Sequence, residues 1–115
     1  MSKRWEIHYA FLDPVLGTEQ AGNRPVLIIS VDEFNEAMDR LTVLPITSRK
    51  PGRTVYANEA LIGAGTAGLE RDSIVLAHQI RTLSKRRLKR RIGEITDSKA
   101  QEAVLSALRN HLGMF

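Results

Sequence analysis

Pro25-Val26-Leu27-Ile28-Ile29-Ser30 is a short, almost wholly apolar run bounded by turn residues, the pattern of a strand buried on both faces. Such a strand must sit in the middle of its sheet, and the rest of a 115-residue chain has to cover it. Glu6 to Phe11, mostly aromatic and β-branched, reads as a strand ahead of it that Asp13-Pro14 stops. A long polar loop then runs to Asn23. Leu41 to Ile46 is a third strand whose Pro45 marks an edge or a bulge, Thr54 to Asn58 a weaker fourth, and Ser73 to Ala77 a buried fifth. Ile92 to Ile95 offers a short last strand, reached through a turn at Ser84 to Arg87.

Helix is scarce by comparison. Ser30 with Glu33 makes a capping-box pattern, and Phe34, Ala37 and Met38 recur at helical spacing, which predicts two turns after the second strand. Ala100, Ala103, Val104, Ala107, Leu108 and Leu112 fall on one stripe of period 3.6, with Ser98 and Gln101 as a capping box and Gly113 as the stop. Successive strands with one late helix exclude a doubly wound fold. The expected class is mainly β (α+β): a small, strongly bent, mostly antiparallel sheet or barrel, with a short helix after strand 2 and an amphipathic C-terminal helix, in a single domain over 1–115.

Composition removes several functions. The absence of cysteine excludes a disulfide framework, a zinc ribbon and a thiol nucleophile, and His8, His78 and His111 are too far apart for a local metal motif; no metal and no cofactor are expected. No apolar run reaches the ~18–20 residues of a membrane span, and Met1-Ser2-Lys3-Arg4-Trp5-Glu6 lacks the apolar core of a signal peptide, so the expected location is cytoplasmic, away from membranes. Gly63-Ala64-Gly65-Thr66-Ala67-Gly68 matches GxGxxG by letter, but the next strand follows too soon for a phosphate-binding helix. That stretch reads as a mobile surface loop. Neither a serine-histidine-carboxylate signature nor a glycosidase carboxylate couple is present.

The net charge of +4 comes from one place. Arg81, Lys85, Arg86, Arg87, Lys89, Arg90 and Arg91 occur without an intervening acid, and the remainder of the chain is net negative. That concentration points to a phosphate-rich partner, against the plainer reading of a solvated basic stretch. Polar residues stand at the ends of the apolar strands, where loops present function on a rigid sheet: Glu19 and Gln20, Arg24, Thr47 and Ser48, Gln79 and Arg81. Each also has a structural reading, in which Arg24 pairs with a carboxylate, Thr47-Ser48 caps a turn, Gln79 satisfies backbone groups, and His8 and His78 are satisfied within the fold. His111 would then bond the last carbonyls of its helix.

From Asp13 through Glu19-Gln20, Gly22-Asn23-Arg24-Pro25 and on to Ser30, the sequence resembles the MazF/PemK/Kid family of bacterial toxins. Asn35, Pro45-Ile46-Thr47-Ser48, Asp72-Ser73-Ile74-Val75, Gln79-Ile80-Arg81-Thr82, Arg87-Leu88 and Ile92-Gly93 continue the pattern in family order across nearly the whole chain. The resemblance implies an SH3-like barrel, a homodimer, and metal-independent, sequence-selective cleavage of single-stranded RNA. It also implies a cognate antitoxin, with DNA contacted only through the antitoxin complex. A toxin of related fold that poisons a topoisomerase by binding is the alternative. By the same resemblance Arg24, Thr47 and Glu19 are the catalytic residues. Gln20, Ser48, Arg49, Gln79, Arg81, Lys85 and Arg86 would bind RNA. His78 stands where many members have an acid, Thr18 where some have a histidine, and Trp5 and His8 where a glycine and an aromatic are usual. These departures bear on proton transfer more than on phosphate binding, and they make His78 a second proton-transfer candidate beside Glu19.

Overall fold

The computed structural model describes residues 2–115. Among them, strands and helices follow in the order β1 (Glu6–Phe11), β2 (Asn23–Ile28), α1 (Asp32–Ala37), β3 (Arg40–Ser48), β4 (Glu59–Ile62), β5 (Ser73–Leu76), β6 (Arg81–Ser84), β7 (Leu88–Glu94) and α2 (Ser98–Leu112), with 3-10 turns at Ala77–Gln79 and Lys85–Arg87. The seven strands form one antiparallel sheet in the order β4-β5-β3-β2-β1-β7, with β6 beside β3. The mainly β architecture with a C-terminal helix is the one expected, and no helix of the described residues is long and apolar enough to cross a membrane.

Val26, Leu27 and Ile28 of β2 are each fully buried. Alternation of side chains sends Val26 and Ile28 into a cluster with Ala10, Leu12, Val43 and Leu83, while Leu27 enters a larger one with Ile7, Leu44, Ile46, Val75 and Val104. The strand is apolar at every step because it separates two cores. Each such side chain contributes about 1.5–3 kcal/mol of burial. Helix α2 covers the larger core with Val104 and Ala107.

β3 is the hub of the sheet. It pairs β2 through Val43, Leu44 and Pro45, β6 through Arg40–Val43, and β5 through Ile46, Thr47 and Ser48. Pro45 therefore lies in a central strand and not at an edge. It is tolerated because it falls at the changeover between β6 and β5, in register with neither.

The glycine-rich segment departs from the expected free loop. A Cβ on Gly68 would stand 2.3 Å from the Ile92 carbonyl oxygen, and one on Gly93 2.2 Å from that of Ala67. The β4–β5 loop is thus packed backbone to backbone against β7, which brings the two ends of the strand order together and closes the sheet.

Several local expectations shift. Thr54–Asn58 is irregular, and the strand begins just after it at Glu59. β6 is an additional strand, masked in sequence because only Leu83 of its four residues turns inward. Val31 caps α1 without a side-chain bond, since the Ser30 hydroxyl accepts from Thr42 N at 2.9 Å and donates to Asn35 Oδ1 at 2.5 Å. Phe34 and Met38 are half exposed, and the buried residue of α1 is Asn35. Asp97, one residue before the expected Ser98, caps α2 by accepting from Lys99 N and Ala100 N, while Gln101 donates to Ile95 O. Gly113 terminates α2 in the left-handed conformation as expected.

The β4–β5 closure makes a contrast between two glycines. Gly93→Ala should destabilise the fold by about 2–4 kcal/mol, because neither clashing group is a flexible side-chain end. Gly63→Ala, in open space, should change stability by less than about 0.5 kcal/mol. Urea unfolding of the two variants checks this, and equal midpoints would refute the closure.

Candidate functional site

Two strand ends make the first part of the site. The register that sets Val26 against Pro45 places Arg24 opposite Thr47 when carried two residues further, and there β3 has already turned to pair with β5. The divergence opens a cleft of ≈ 330 Å³ lined by Arg24, Thr47, Ser48, Tyr9, Arg71 and Arg90, among others. Arg24 donates its Nε to Ala21 O at 3.1 Å, and its two terminal nitrogens have no partner among the described residues. A guanidinium held at its root with its fork free suits bidentate binding of a phosphate.

A second group of the sequence-derived residues lies in a neighbouring cavity of ≈ 340 Å³ lined by Glu19, Gln20, Pro45, His78, Gln79 and Arg81. Pro45 borders this cavity and Ile46, Thr47 and Ser48 border the first. Glu19 is exposed, with Oε1 accepting from Leu16 N at 2.5 Å. Gln79 Oε1 accepts from Gln20 N at 2.9 Å, which fixes the base of the β1–β2 loop.

His78 is not a free imidazole. Its Nε2 lies 2.9 Å from Oε2 of Glu59, a buried carboxylate that also takes both terminal nitrogens of Arg53 at 2.8 Å and Tyr56 N at 3.1 Å. The Arg53 fork, against the opposing effect of burial and with help from His78 and Tyr56 N, holds the Glu59 carboxyl down at about 2. His8 likewise belongs to the fold. It is buried, 3.0 Å from Glu6 Oε1 and 3.2 Å from Lys89 O. Burial pushes Glu6 up, but bonds from His8, Lys3 N and Arg91 outweigh it and leave that carboxyl below its usual range. His111 meets Asn58 and the ring of His78 in place of its own helix carbonyls.

The basic run divides by partner. Arg81 donates to Leu12 O at 3.1 Å, Arg87 to Phe11 O and Asp13 O, and Arg91 to Glu6 and Glu94, so these three fasten loops and strands. Arg49, another expected contact, donates its Nε to Arg53 O. Lys85 and Arg86 sit on the 3-10 turn beside the sheet and line neither cavity. Arg90 lies 5.2 Å over the Tyr9 ring inside the cleft. Sequence reasoning missed Tyr9, Arg71 and Glu70 as cleft residues. For Tyr9 a signal existed: once β1 and β2 are taken as a hairpin, Tyr9 falls opposite Pro25, next to Arg24. Arg71 stands between Glu70 and Asp72 and looks neutralised until the fold is known.

The family described as "PemK-like, MazF-like toxin of type II toxin-antitoxin system" matches residues 3–112. The chain is 37% identical to the endoribonuclease MazF of Staphylococcus saprophyticus over 99% of its own length and 93% of that protein. Its fold superposes on MazF from Deinococcus radiodurans with a TM-score of 0.81 at 28% identity, covering 98% of this chain and 97% of that one. It also superposes on a mycobacterial endoribonuclease solved with its cognate antitoxin, with a TM-score of 0.82 at 23% identity over 100% and 98% of the two chains.

Glu59 gives the molecule an acid-side signature. A carboxyl depressed from 4.5 to about 2 on folding contributes stability that is full above its unfolded value and lost as pH falls toward the folded one. The stability difference between wild type and Glu59→Gln, about 3 kcal/mol near neutrality for a broken buried pair, should shrink steadily below about pH 4.5. Urea unfolding at a series of pH values checks this, and a difference that stays constant down to pH 2.5 would contradict it.

Proposed function

The chain belongs to the PemK-like, MazF-like toxins of type II toxin-antitoxin systems and is an endoribonuclease of that kind; from this premise we propose that it cuts single-stranded RNA at selected sequences, without metal, by attack of the ribose 2′-hydroxyl on the adjacent phosphate. The observation that carries the reading is the free fork of Arg24 facing Thr47 across a cationic cleft. In-line attack by the 2′-oxygen forms a 2′,3′-cyclic phosphate and breaks the bond to the 5′-oxygen, which leaves as a hydroxyl after taking up a proton. Negative charge on the non-bridging oxygens grows during attack, and Arg24 meets it with two parallel N–H donors already in place. Thr47 donates its hydroxyl to the same phosphate, and its own proton is held too tightly for general-base work near neutrality.

The 2′-hydroxyl proton is assigned to Glu19, an exposed carboxylate on the loop that borders the neighbouring cavity. The bond between His78 Nε2 and Glu59 argues against the alternative of His78 as proton carrier. Glu70 is the one acid among the residues lining the Arg24 cleft, and it provides the control. Arg90, Arg71, Lys85 and Arg86 hold flanking phosphates, and bases splayed from the strand meet the β1–β2 loop and the loop after β3. Activity belongs in the cytoplasm, where that RNA is found. A homodimer and a cognate antitoxin that covers the same cationic cleft complete the reading, supported by a family defined by toxin–antitoxin pairing.

Purified protein incubated with chelator should cut a mixed-sequence single-stranded RNA and spare the matching DNA. Arg24→Ala should lose about 10²–10³ in rate. Glu19→Gln should lose the acidic limb of the pH–rate profile, and Glu70→Gln should keep it. If about four phosphates are neutralised, the logarithm of affinity should fall against log salt with a slope near −3. Mapping the cut ends checks the chemistry. Intact RNA across many sequences would instead favour a toxin that acts by gripping a protein target.

A further inference from the structure

The loop that ends just before β2, which carries Arg24, and the loop that begins just after Ser48 are linked by a chain of contacts centred on one buried carboxylate. Glu59 opens β4 with its carboxylate only 2% exposed, and Oε1 and Oε2 each receive a terminal nitrogen of Arg53 at 2.8 Å. Tyr56 N adds a third bond at 3.1 Å, so the end of the β3–β4 loop is folded around this carboxylate. On its far side Oε2 meets His78 Nε2 at 2.9 Å. His78 shares its 3-10 turn with Gln79, whose side-chain oxygen accepts from Gln20 N in the β1–β2 loop at 2.9 Å. The chain of contacts runs from one loop to the other without a gap. The C-terminal end of α2 braces the same loop, with Asn110 Nδ2 donating to Ala57 O at 2.9 Å and His111 beside Asn58.

We propose that Glu59 is a positioning residue that sets which RNA sequence this enzyme cuts, by locking the β3–β4 loop to the His78-Gln79 turn and, through it, to the β1–β2 loop. The inference rests on the ribonuclease reading above. The reactive pair does not depend on this bridge for its placement: Arg24 is held by the pairing of β2 with β1, and Thr47 by the pairing of β3 with β5. The bases flanking the cut phosphate must instead be read by the loops, and a reader discriminates only while its donors and acceptors keep fixed spacing. A carboxylate suits the task because it binds a guanidinium fork with one defined geometry and still has lone pairs for an imidazole and an amide. An imidazole at position 78 is what allows a carboxylate at position 59 to grip this turn, since a second acid there would repel it.

The test is the cleavage profile of wild type and Glu59→Gln on a randomised single-stranded RNA pool with chelator present. Glutamine keeps the shape but cannot accept from both arms of Arg53. The ratio of cutting at the preferred sequence to cutting at the next-best sequences should fall about tenfold, with total cutting largely retained. Glu59→Asp, which keeps the charge, should recover part of that ratio. Ile95→Ala, a destabilising change just after β7 in the larger core, which takes no residue from either loop, should lower stability and leave the ratio unchanged. If Glu59→Gln does not fold, Arg53→Gln opens the same fork from a side chain that is 30% exposed and should broaden the profile in the same way. An unchanged ratio in the folded fork variant, or an equal change in Ile95→Ala, overturns the proposal and leaves the ribonuclease reading intact. A wild-type protein that cuts no RNA overturns both.

Discussion

Everything at the site follows from where β3 changes partners. On one side its pairing with β2 ends at Pro45, and on the other its pairing passes from β6, which ends at Val43, to β5, which begins at Ile46. A proline is suited to that point because it offers no N–H to either neighbour. The separation of the two ladders leaves Arg24 and Thr47 on strand ends that face each other across a gap, each fixed by a different hydrogen-bonded pair. The cleft is a consequence of sheet topology, and its floor is rigid for the same reason that the two cores are. The packing of Gly68 against Ile92 and of Gly93 against Ala67 closes the sheet beside the cleft and brings Arg90 and Arg91 of β7 to its wall.

Net charge overstates what the site has to offer. Of the basic run, Arg81 and Arg87 are committed to backbone carbonyls of residues 11–13, and Arg91 to two carboxylates. Guanidinium groups with five donors can tie irregular backbone to a sheet, and that use competes with phosphate binding. Arg24, Arg71 and Arg90 are the cations the cleft presents alongside the tied Arg91. Two of the three histidines are also committed, each to a buried carboxylate, His8 to Glu6 and His78 to Glu59. That commitment is why the proposal assigns proton transfer to an exposed carboxylate.

The sequence displays the parts of this fold that burial alone determines. The unbroken apolar run of β2, the aromatic and β-branched content of β1 and the stripe of α2 are legible because each is a local record of which residues meet a core. Gly22-Asn23-Arg24-Pro25 with Pro45-Ile46-Thr47-Ser48 also carried the family pattern and with it the proposed reactive pair. What could not be read was set by distant partners. β6 gave no strand pattern because Arg81 and Thr82 outweigh one inward Leu83, and GxGxxG looked mobile because the backbone it touches is far away in sequence. The Ser30 hydroxyl was claimed by Thr42 across the sheet, so the local capping pattern lost to a tertiary bond. The Glu59 hub gave no signal, since nothing local distinguishes a glutamate that will be buried between Arg53 and His78.

The central claim is that the substrate's own 2′-oxygen attacks while Arg24 and Thr47 hold the phosphate. It is tested most directly on a short RNA containing the preferred cutting sequence, compared with the same strand carrying a single 2′-deoxy nucleotide on the 5′ side of the cut. The account predicts that binding is retained, that cutting at that one bond is abolished, and that the all-RNA strand ends in a 2′,3′-cyclic phosphate. Cutting of the deoxy-substituted bond at an undiminished rate would contradict it and assign the attack to water or to a side chain.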